Sequence, residues 1–254
     1  MTILWIVLEA AHDCRTRDVL KLTAICITYK RPLALEHAIE SFLRQDYPNK
    51  SMIILDDAGQ YPIMEGEGWK LVSVKERFRT IGEKRNASAA LAPQDTDVYC
   101  VWDDDDIHLP WHMSGIAKAM EYGNFAIPTK CFVKDRQLPI SLVPTGRRYH
   151  SSWGFTRELF ERTNGYPFVQ SGQDLDFRDN AFALPDGYAI RVDPLDHGFE
   201  PSYVYRWGQT HSRHLSGWGR GQEGYEKLGQ DPFLDVYQLN PHWDTDWLRE
   251  VADV

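Results

Sequence analysis

VYCVWDDDD (residues 98–106) joins an apolar stretch to four consecutive aspartates. An uninterrupted apolar run of this length is typical of a strand buried on both faces of a sheet. The aspartates follow the end of this strand. Two carboxylates 4 Å apart repel each other by roughly 4 kcal/mol at an effective dielectric of 20. The sequence therefore predicts a positive partner, and Mg²⁺ or Mn²⁺ fits because hard cations bind carboxylate and phosphate oxygens. The alternative is a solvated acidic turn that caps the next helix.

The segments before this run alternate between strand and helix patterns. Apolar, β-branched runs predict strands at residues 22–28, 52–55, 71–74 and 97–102. Apolar residues at helical spacing, or alanine-rich composition, predict helices at residues 33–45, 81–92 and 110–122. This alternation predicts an α/β fold with a Rossmann-like, mainly parallel sheet flanked by helices. After residue 125 shorter extended and helical pieces predict a smaller, mixed second half.

Length and charge limit the classes of function. A chain of 254 residues suits one α/β domain with small additions. The formal net charge of −9 argues against a general nucleic-acid binder, because no continuous basic stripe is present. The local basic clusters Arg147–Arg148 and Arg213–Arg220 would suit a diphosphate equally well.

The cysteines and the first residues bear on the compartment. The four cysteines lack metal-ligand spacing, and Cys26 and Cys100 fall inside predicted strands, so we expect buried thiols and a reducing, cytoplasmic setting. The apolar opening Met1–Leu8 has no basic leader and is too short to span a bilayer. We therefore expect neither a signal peptide nor a transmembrane helix.

Six short motifs follow one another in a set order. They are TAICITYKRP (23–32), ILDD (54–57), GEKRNA (82–87), WDDDDI (102–107), GYP (165–167) and GQDLD (172–176). In this order and spacing the chain resembles the family 2 glycosyltransferases, which have the GT-A fold. The resemblance implies one domain at 22–230, with a nucleotide-binding half (22–122) and an acceptor or catalytic half (123–230). Residues 1–21 would be an N-terminal extension, and residues 231–254 a tail or helix.

The resemblance also implies a nucleotide pocket. Thr28, Tyr29 and Arg31 would line it at the end of the first strand. Asp57 would accept a hydrogen bond from the base, and Arg85 would face the nucleotide. A plain turn with an Asx cap remains the alternative for Asp57, and a solvated helix face the alternative for Arg85.

A metal site and a catalytic base are implied in the same way. Asp105 would coordinate Mn²⁺ or Mg²⁺, with Asp103 or Asp104 near the ribose or a metal-bound water, and His214 would reach the metal from a late glycine-rich loop. Asp174 would be the catalytic base, in a Gln-Asp pair where the family has Glu-Asp. Asp176 is the competing candidate for the base, and a plain helix N-cap is the alternative for Asp174.

Four other polar positions are discounted as ligands. Asp244 and Asp246 also form an Asp-x-Asp pattern, but their place before Trp247 indicates a helix cap. His108 and His112 flank the acidic run, and we expect both on a helix face.

The resemblance implies a metal-dependent transfer of sugar from a nucleotide-diphospho-sugar, with a UDP-sugar expected, to an acceptor hydroxyl with inversion. The acceptor could belong to a carbohydrate, a lipid, a protein or a hydroxymethylated base in DNA. A nucleotidyltransferase is a second class, although residues 29–32 lack the glycines of a phosphate loop. A third class is a non-catalytic sugar- or metal-binding module. The presence of the candidate base Asp174 is evidence against this class.

Overall fold

Strand β1 (Leu22–Thr28) is buried along its whole length, as its apolar run predicts. It pairs in parallel with β2 (Lys50–Asp56) on one side and with β5 (Val98–Asp103) on the other. The structure is a computed structural model that describes residues 19–135, 138–146, 148–207, 238–252 and 254. The predicted N-terminal extension lies almost entirely outside these residues.

The other described elements follow in chain order. The strands are β3 (Met64–Gly66), β4 (Trp69–Ser73), β6 (Ile107–His108), β7 (Phe125–Ala126), β8 (Lys130–Asp135), β9 (Ser141–Pro144), β10 (Gly154–Thr156), β11 (Arg191–Val192) and β12 (Tyr203–Trp207). The α-helices are α1 (Pro32–Leu43), α2 (Ile81–Ala90), α3 (His112–Ala119), α4 (Arg157–Arg162), α5 (Gln173–Phe182) and α6 (Trp247–Ala252). Short 3-10 helices occur at His150–Ser152, Pro185–Gly187 and Pro194–His197.

Two sheets organise these strands. The larger has the order β11-β7-β10-β5-β1-β2-β4-β3, and the smaller has the order β6-β12-β8-β9. The pairs among β5, β1, β2 and β4 are parallel, whereas β10 runs antiparallel to both β5 and β7. The predicted parallel sheet with a mixed second half is confirmed. The strand order reverses between β1 and β5, which is where ligands bind in sheets of this kind.

The two faces of the large sheet carry separate apolar clusters. Cys26 and Trp102 pack with the apolar side of α1, and Ile25 and Val101 pack with aromatic residues that include Phe155. Adjacent residues of a strand point to opposite faces, so helices cover both faces of this sheet. Cys26, Cys100 and Cys131 are buried free thiols, as expected for the first two.

The second Asp-x-Asp pattern lies directly before the C-terminal helix α6. The Asp246 carboxylate accepts a hydrogen bond from the Arg249 amide at the start of α6, which confirms a helix cap there. Within the described residues, no helix combines the length and apolar character needed to cross a bilayer.

His108 is a correction to the sequence analysis. It lies in the short strand β6 rather than on a helix face, and its ring stacks on Trp102 at a centroid distance of 3.7 Å. Its Nε2 lies 2.8 Å from the Ser151 carbonyl oxygen. A two-residue strand carries too little periodicity to be distinguished from the start of the following helix. His112 does open α3, as expected, although it is buried.

Buried histidines should make the fold sensitive to acid. Burial lowers the pKa of His108 to about 3 and the pKa values of His112 and His150 well below the usual value. The unfolded chain therefore binds more protons below pH 6.5, and the stability that neutral histidines contribute is lost as pH falls. For His108 we expect about 2 kcal/mol of destabilisation between pH 7 and pH 5.

Urea unfolding at several pH values, with His108→Phe as the comparison variant, measures this contribution. Phenylalanine keeps an aromatic ring over Trp102 but cannot titrate, so the fall in unfolding free energy between pH 7 and pH 5 should shrink by about 2 kcal/mol. The comparison cancels the effects of carboxylates common to both proteins. Equal pH dependence in the two proteins would contradict the assignment.

Candidate active site

Three parallel strands deliver polar residues to one edge of the large sheet. Thr28 at the end of β1 pairs in register with Asp56 of β2, and Ile27 pairs with Asp103 of β5. Asp57 and the acidic run follow β2 and β5 directly. The structure therefore brings together the strand ends that the sequence analysis predicted to meet.

The first three aspartates of the run are paired with two arginines. Arg85 Nη2 of α2 lies 2.7 Å from Asp103 Oδ1. Arg31 Nη1 lies 2.7 Å from Asp105 Oδ2, and its Nη2 forms an ion pair with Asp104. The positive partner that four carboxylates demand is thus present within the chain itself. The solvated-turn alternative does not hold, because Asp104 and Asp105 are buried.

Arg31 and Lys30 owe their positions to the turn that follows β1. Lys30 adopts a left-handed backbone conformation with φ of 51°, which is uncommon for a residue with a side chain. Pro32 then opens α1, which suits the first position of a helix. This sharp turn directs Arg31 back across the strand ends toward the carboxylates.

Asp106 has a different task from its neighbours. Its carboxylate accepts hydrogen bonds from the Tyr203 hydroxyl and, at 3.0 Å, from the Arg206 amide. Arg206 Nε also donates to the Asp105 carbonyl oxygen at 2.6 Å. These bonds fasten the end of the acidic run to β12 of the smaller sheet, so Asp106 holds the run in place.

Burial dominates the electrostatics of this run. Burial raises the pKa of the Asp104 carboxyl to about 7, against the opposing effect of Arg31. Burial alone would lower the pKa of Arg31, but Asp104 and Asp105 outweigh it and raise that pKa above its usual value. The ion pairs therefore favour the charged form of Arg31, whereas burial outweighs the pairing at Asp104 and favours its neutral form.

Asp56 and Asp57 are neighbours in sequence but have different partners. Asp56 is fully buried and accepts hydrogen bonds from the Ala58 and Gln60 amides and from the Ser73 hydroxyl, so it stabilises the turn. Asp57 instead pairs with Lys84, whose Nζ lies 2.5 Å from Asp57 Oδ1 and 2.5 Å from the Thr28 carbonyl oxygen. The simple Asx-cap alternative for Asp57 does not describe this arrangement.

Tyr29 lies beside this pair at the end of β1. The Arg77 guanidinium stacks on its ring, with 3.5 Å between the guanidinium carbon and the ring centroid. A stacked guanidinium and ring form a flat surface of the kind that nucleobases contact. The structure therefore places Thr28, Tyr29, Arg31, Asp57 and Arg85 around the same group of strand ends.

Asp174 begins α5, at the end of a loop held against α2. A Cβ atom added to Gly82 would lie 1.9 Å from the Pro167 carbonyl oxygen, so loop and helix are in direct contact. Asp174 is half-buried, and burial raises its pKa, while Arg85 lowers it and Asp103 raises it. These effects place Asp174 in the electrostatic environment of the acidic run. Asp176, its competitor, is exposed on the same helix.

The structure describes two of the three predicted metal ligands, Asp103 and Asp105. Among the residues that the structure describes, no group of three or more His, Cys, Asp or Glu side chains is arranged to hold a metal ion. Asp103 and Asp105 offer carboxylate oxygens, and a Mg²⁺-type ion needs only one or two of these when water and phosphate oxygens complete its shell. The chemistry of this donor pair fits such an ion. His214 lies outside the described residues.

Sequence reasoning missed three functional neighbours of the site. Lys84, Tyr203 and Arg206 hold Asp57, Asp106 and the Asp105 backbone, respectively. Lys84 stood next to Arg85 in a predicted helix, which gave a signal for its proximity but none for its partner. The contacts of Tyr203 and Arg206 span about a hundred positions of sequence, so no local pattern could reveal them.

A mainly parallel α/β sheet that brings polar residues together at the carboxyl ends of β1, β2 and β5 is typical of nucleotide-binding α/β proteins. The family model described as Glycosyl transferase family 2 matches residues 23–199. The chain belongs to glycosyl transferase family 2.

Individual relatives agree with this assignment. The chain is 27% identical over 149 residues to the "Uncharacterized glycosyltransferase YwdF" of Bacillus subtilis (strain 168), a match covering 58% of this chain and 52% of that protein. The chain therefore spans about half the length of this curated relative.

Two solved structures share the fold. S. aureus TarS 1-349 in complex with UDP-GlcNAc matches with a TM-score of 0.57 and 13% identity, over 75% of this chain and 59% of that one. The mannosyltransferase PcManGT from Pyrobaculum calidifontis, in complex with GDP-Man and Mn²⁺, matches with a TM-score of 0.52 and 17% identity, over 74% and 56%. At these identities the likeness shows the fold alone.

Proposed function

We propose that this protein transfers a sugar from a UDP-sugar to an acceptor hydroxyl, with inversion and with Mn²⁺ or Mg²⁺. One observation carries the proposal. Thr28, Asp57 and the acidic run lie at the carboxyl ends of β1, β2 and β5, and the half-buried Asp174 interacts electrostatically with Arg85 and Asp103 at that edge. Ligands of α/β sheets bind at such a point. The proposed domain remains residues 22–230, with residues 1–21 and 231–254 as flanking segments.

The nucleotide would lie across the end of β1. Asp57 would accept a hydrogen bond from the base, and Thr28 and Tyr29 would line the pocket around it. Arg31 and Arg85 would face the diphosphate side, with Asp104 near the ribose. Both arginines are already held by carboxylates at 2.7 Å, so their orientation is fixed before the nucleotide arrives.

Asp105 and Asp103 would hold the divalent cation, with His214 as a third ligand. When bound, the cation stabilises negative charge on the departing diphosphate. TarS and PcManGT, both structural neighbours, have been captured with UDP-GlcNAc and with GDP-Man and Mn²⁺, respectively, which supports a nucleotide-sugar donor and a metal.

Asp174 would act as the general base. The acceptor hydroxyl oxygen attacks the anomeric carbon, its proton passes to the Asp174 carboxylate, and the bond from that carbon to the diphosphate oxygen breaks. Attack from the face opposite the leaving group inverts the configuration. Burial raises the pKa of Asp174 and so makes it a better proton acceptor than an exposed carboxylate.

A thermal-shift screen tests the donor and metal assignments. We expect UDP at 100 times its Kd, with Mn²⁺, to stabilise the protein by about 2.7 kcal/mol. This corresponds to a rise in Tm of about 5–10 °C for a domain of this size. CDP and ADP at equal concentration should give smaller shifts, and omission of Mn²⁺ should reduce the shift with UDP. No shift with any nucleoside diphosphate would overturn the proposed function.

A further inference from the structure

Lys84 is a buried cation that the reaction scheme above leaves without a task. Lys84 lies in α2 and is only 6% exposed, and its partner Asp57 is only 3% exposed. Its Nζ contacts Asp57 Oδ1 and the Thr28 carbonyl oxygen, both at 2.5 Å. Burial lowers the pKa of Lys84, while Asp57 opposes that change. Burying an ion pair costs desolvation free energy, and the attraction between the two charges offsets this cost only when their geometry is good.

Helix α2 uses two successive residues to hold two different strand ends. Lys84 binds Asp57 after β2, and Arg85 binds Asp103 at the end of β5. Lys84 also contacts the end of β1 through Thr28. One turn of this helix therefore contacts the ends of all three strands.

The contacts of Asp57 restrict what its carboxylate can still accept. Oδ1 takes the Lys84 ammonium, and Oδ2 accepts the Phe78 amide at 3.2 Å. A carboxylate has about four acceptor positions, and two of these are now used by the protein. The Lys84 and Phe78 contacts fix the direction in which the remaining acceptor positions of Asp57 point.

We propose that Lys84 is a positioning residue for nucleobase selection, which holds the Asp57 carboxylate in an orientation that favours bases presenting a ring N–H. Uracil presents N3–H, whereas N3 of cytosine is itself an acceptor and meets the carboxylate with a lone pair. The inference rests on the proposed function, in which Asp57 contacts the base. The preference for uracil would then depend on Lys84, which acts on the base only indirectly, by positioning Asp57.

Calorimetric titration of UDP and CDP tests this with Lys84→Met, Asp57→Asn and the double variant. A hydrogen bond to a charged acceptor predicts that the wild type prefers UDP by about tenfold to a hundredfold. In Lys84→Met this preference should fall to about threefold or less. Lys70→Met serves as the control. Lys70 lies in β4 and pairs with Glu65 of β3, and this exposed ion pair is not at the carboxyl ends of β1, β2 and β5. The control variant should keep the wild-type preference.

The double variant covers the case in which Lys84→Met fails to fold because Asp57 is left buried and unpaired. If Lys84 acts through Asp57, then Asp57→Asn and Asp57→Asn/Lys84→Met should bind UDP with affinities within about threefold of each other. A larger further loss in the double variant would overturn the proposal. So would a Lys84→Met protein that retains the wild-type preference for UDP over CDP.

The wild-type titration separates this inference from the proposed function. If the wild type binds no nucleoside diphosphate, the proposed function falls and this inference falls with it. If the wild type binds UDP and Lys84→Met discriminates as well as the wild type, only the role of Lys84 is wrong.

Discussion

Replacing Asp174 by Asn is expected to lower kcat for sugar transfer by about 10²–10⁴-fold while donor affinity stays within about threefold. The amide has nearly the shape of the carboxylate, so the start of α5 and its loop should be preserved. It cannot take the proton from the acceptor hydroxyl. A loss in kcat without a loss in donor binding is the signature of a group needed only as the bond forms. Steady-state kinetics and calorimetric donor titration measure the two quantities.

The pH profile gives a second readout for the same residue. Burial raises the pKa of Asp174, so the wild-type rate should fall as the solution is acidified through that raised pKa, because the base becomes protonated. Asp174→Asn should lose this acidic limb together with its activity. A residual rate with an unchanged acidic limb would mean that another group is the base.

Asp176→Asn is the matched control. Asp176 lies on the same helix two positions further along but is exposed, so its replacement should change kcat by about twofold or less. The reverse result, with activity lost only in Asp176→Asn, would make Asp176 the base. If Asp174→Asn changes neither sugar transfer nor donor binding, Asp174 is not the catalytic base and the non-catalytic binding module is favoured.

The sequence was informative about where polar residues would gather. Apolar runs of strand length end at Thr28, Asp56 and Asp103, and parallel strands bring such ends to one edge. Local patterns therefore predicted both the sheet and the place of the site. Because burial drives strand formation, the burial of β1 and of β5 up to Trp102 followed from the same runs.

The partners of these residues could not be predicted in the same way. The acidic run required a positive partner, yet Arg31 and Asp105 are separated by 74 positions, and only tertiary packing brings them together. Helix α2 posed a similar problem, since its alanine-rich and polar sequence defines no strong apolar side. Whether Lys84, Arg85 or Asn86 faces the strand ends depends on the rotation of that helix, which packing against β1 and the loop at Pro167 determines.

Replacing Arg31 by Met is expected to lower the free energy of unfolding by about 3–5 kcal/mol. The guanidinium pairs with Asp104 and Asp105, both buried, and methionine fills its volume without its charge. Two neighbouring carboxylates would then remain in a site of low dielectric without their principal cation. Urea unfolding at pH 7.5 measures the loss. Added Mn²⁺ should stabilise Arg31→Met more than the wild type, because a divalent cation can replace the missing charge on Asp105.

Two further variants show whether charge, rather than packing, causes this loss. Arg157→Met removes an exposed pair with Glu161 at 2.7 Å, and its cost should be about 1 kcal/mol or less. Arg31→Met combined with Asp104→Asn removes one of the two buried carboxyl groups that lose their partner, so the double variant should be more stable than Arg31→Met alone. If it is less stable, with the two losses simply adding, then Arg31 supports the fold through packing. In that case the acidic run would not depend on a positive partner, and the reason for expecting a cation at Asp103 and Asp105 would be lost.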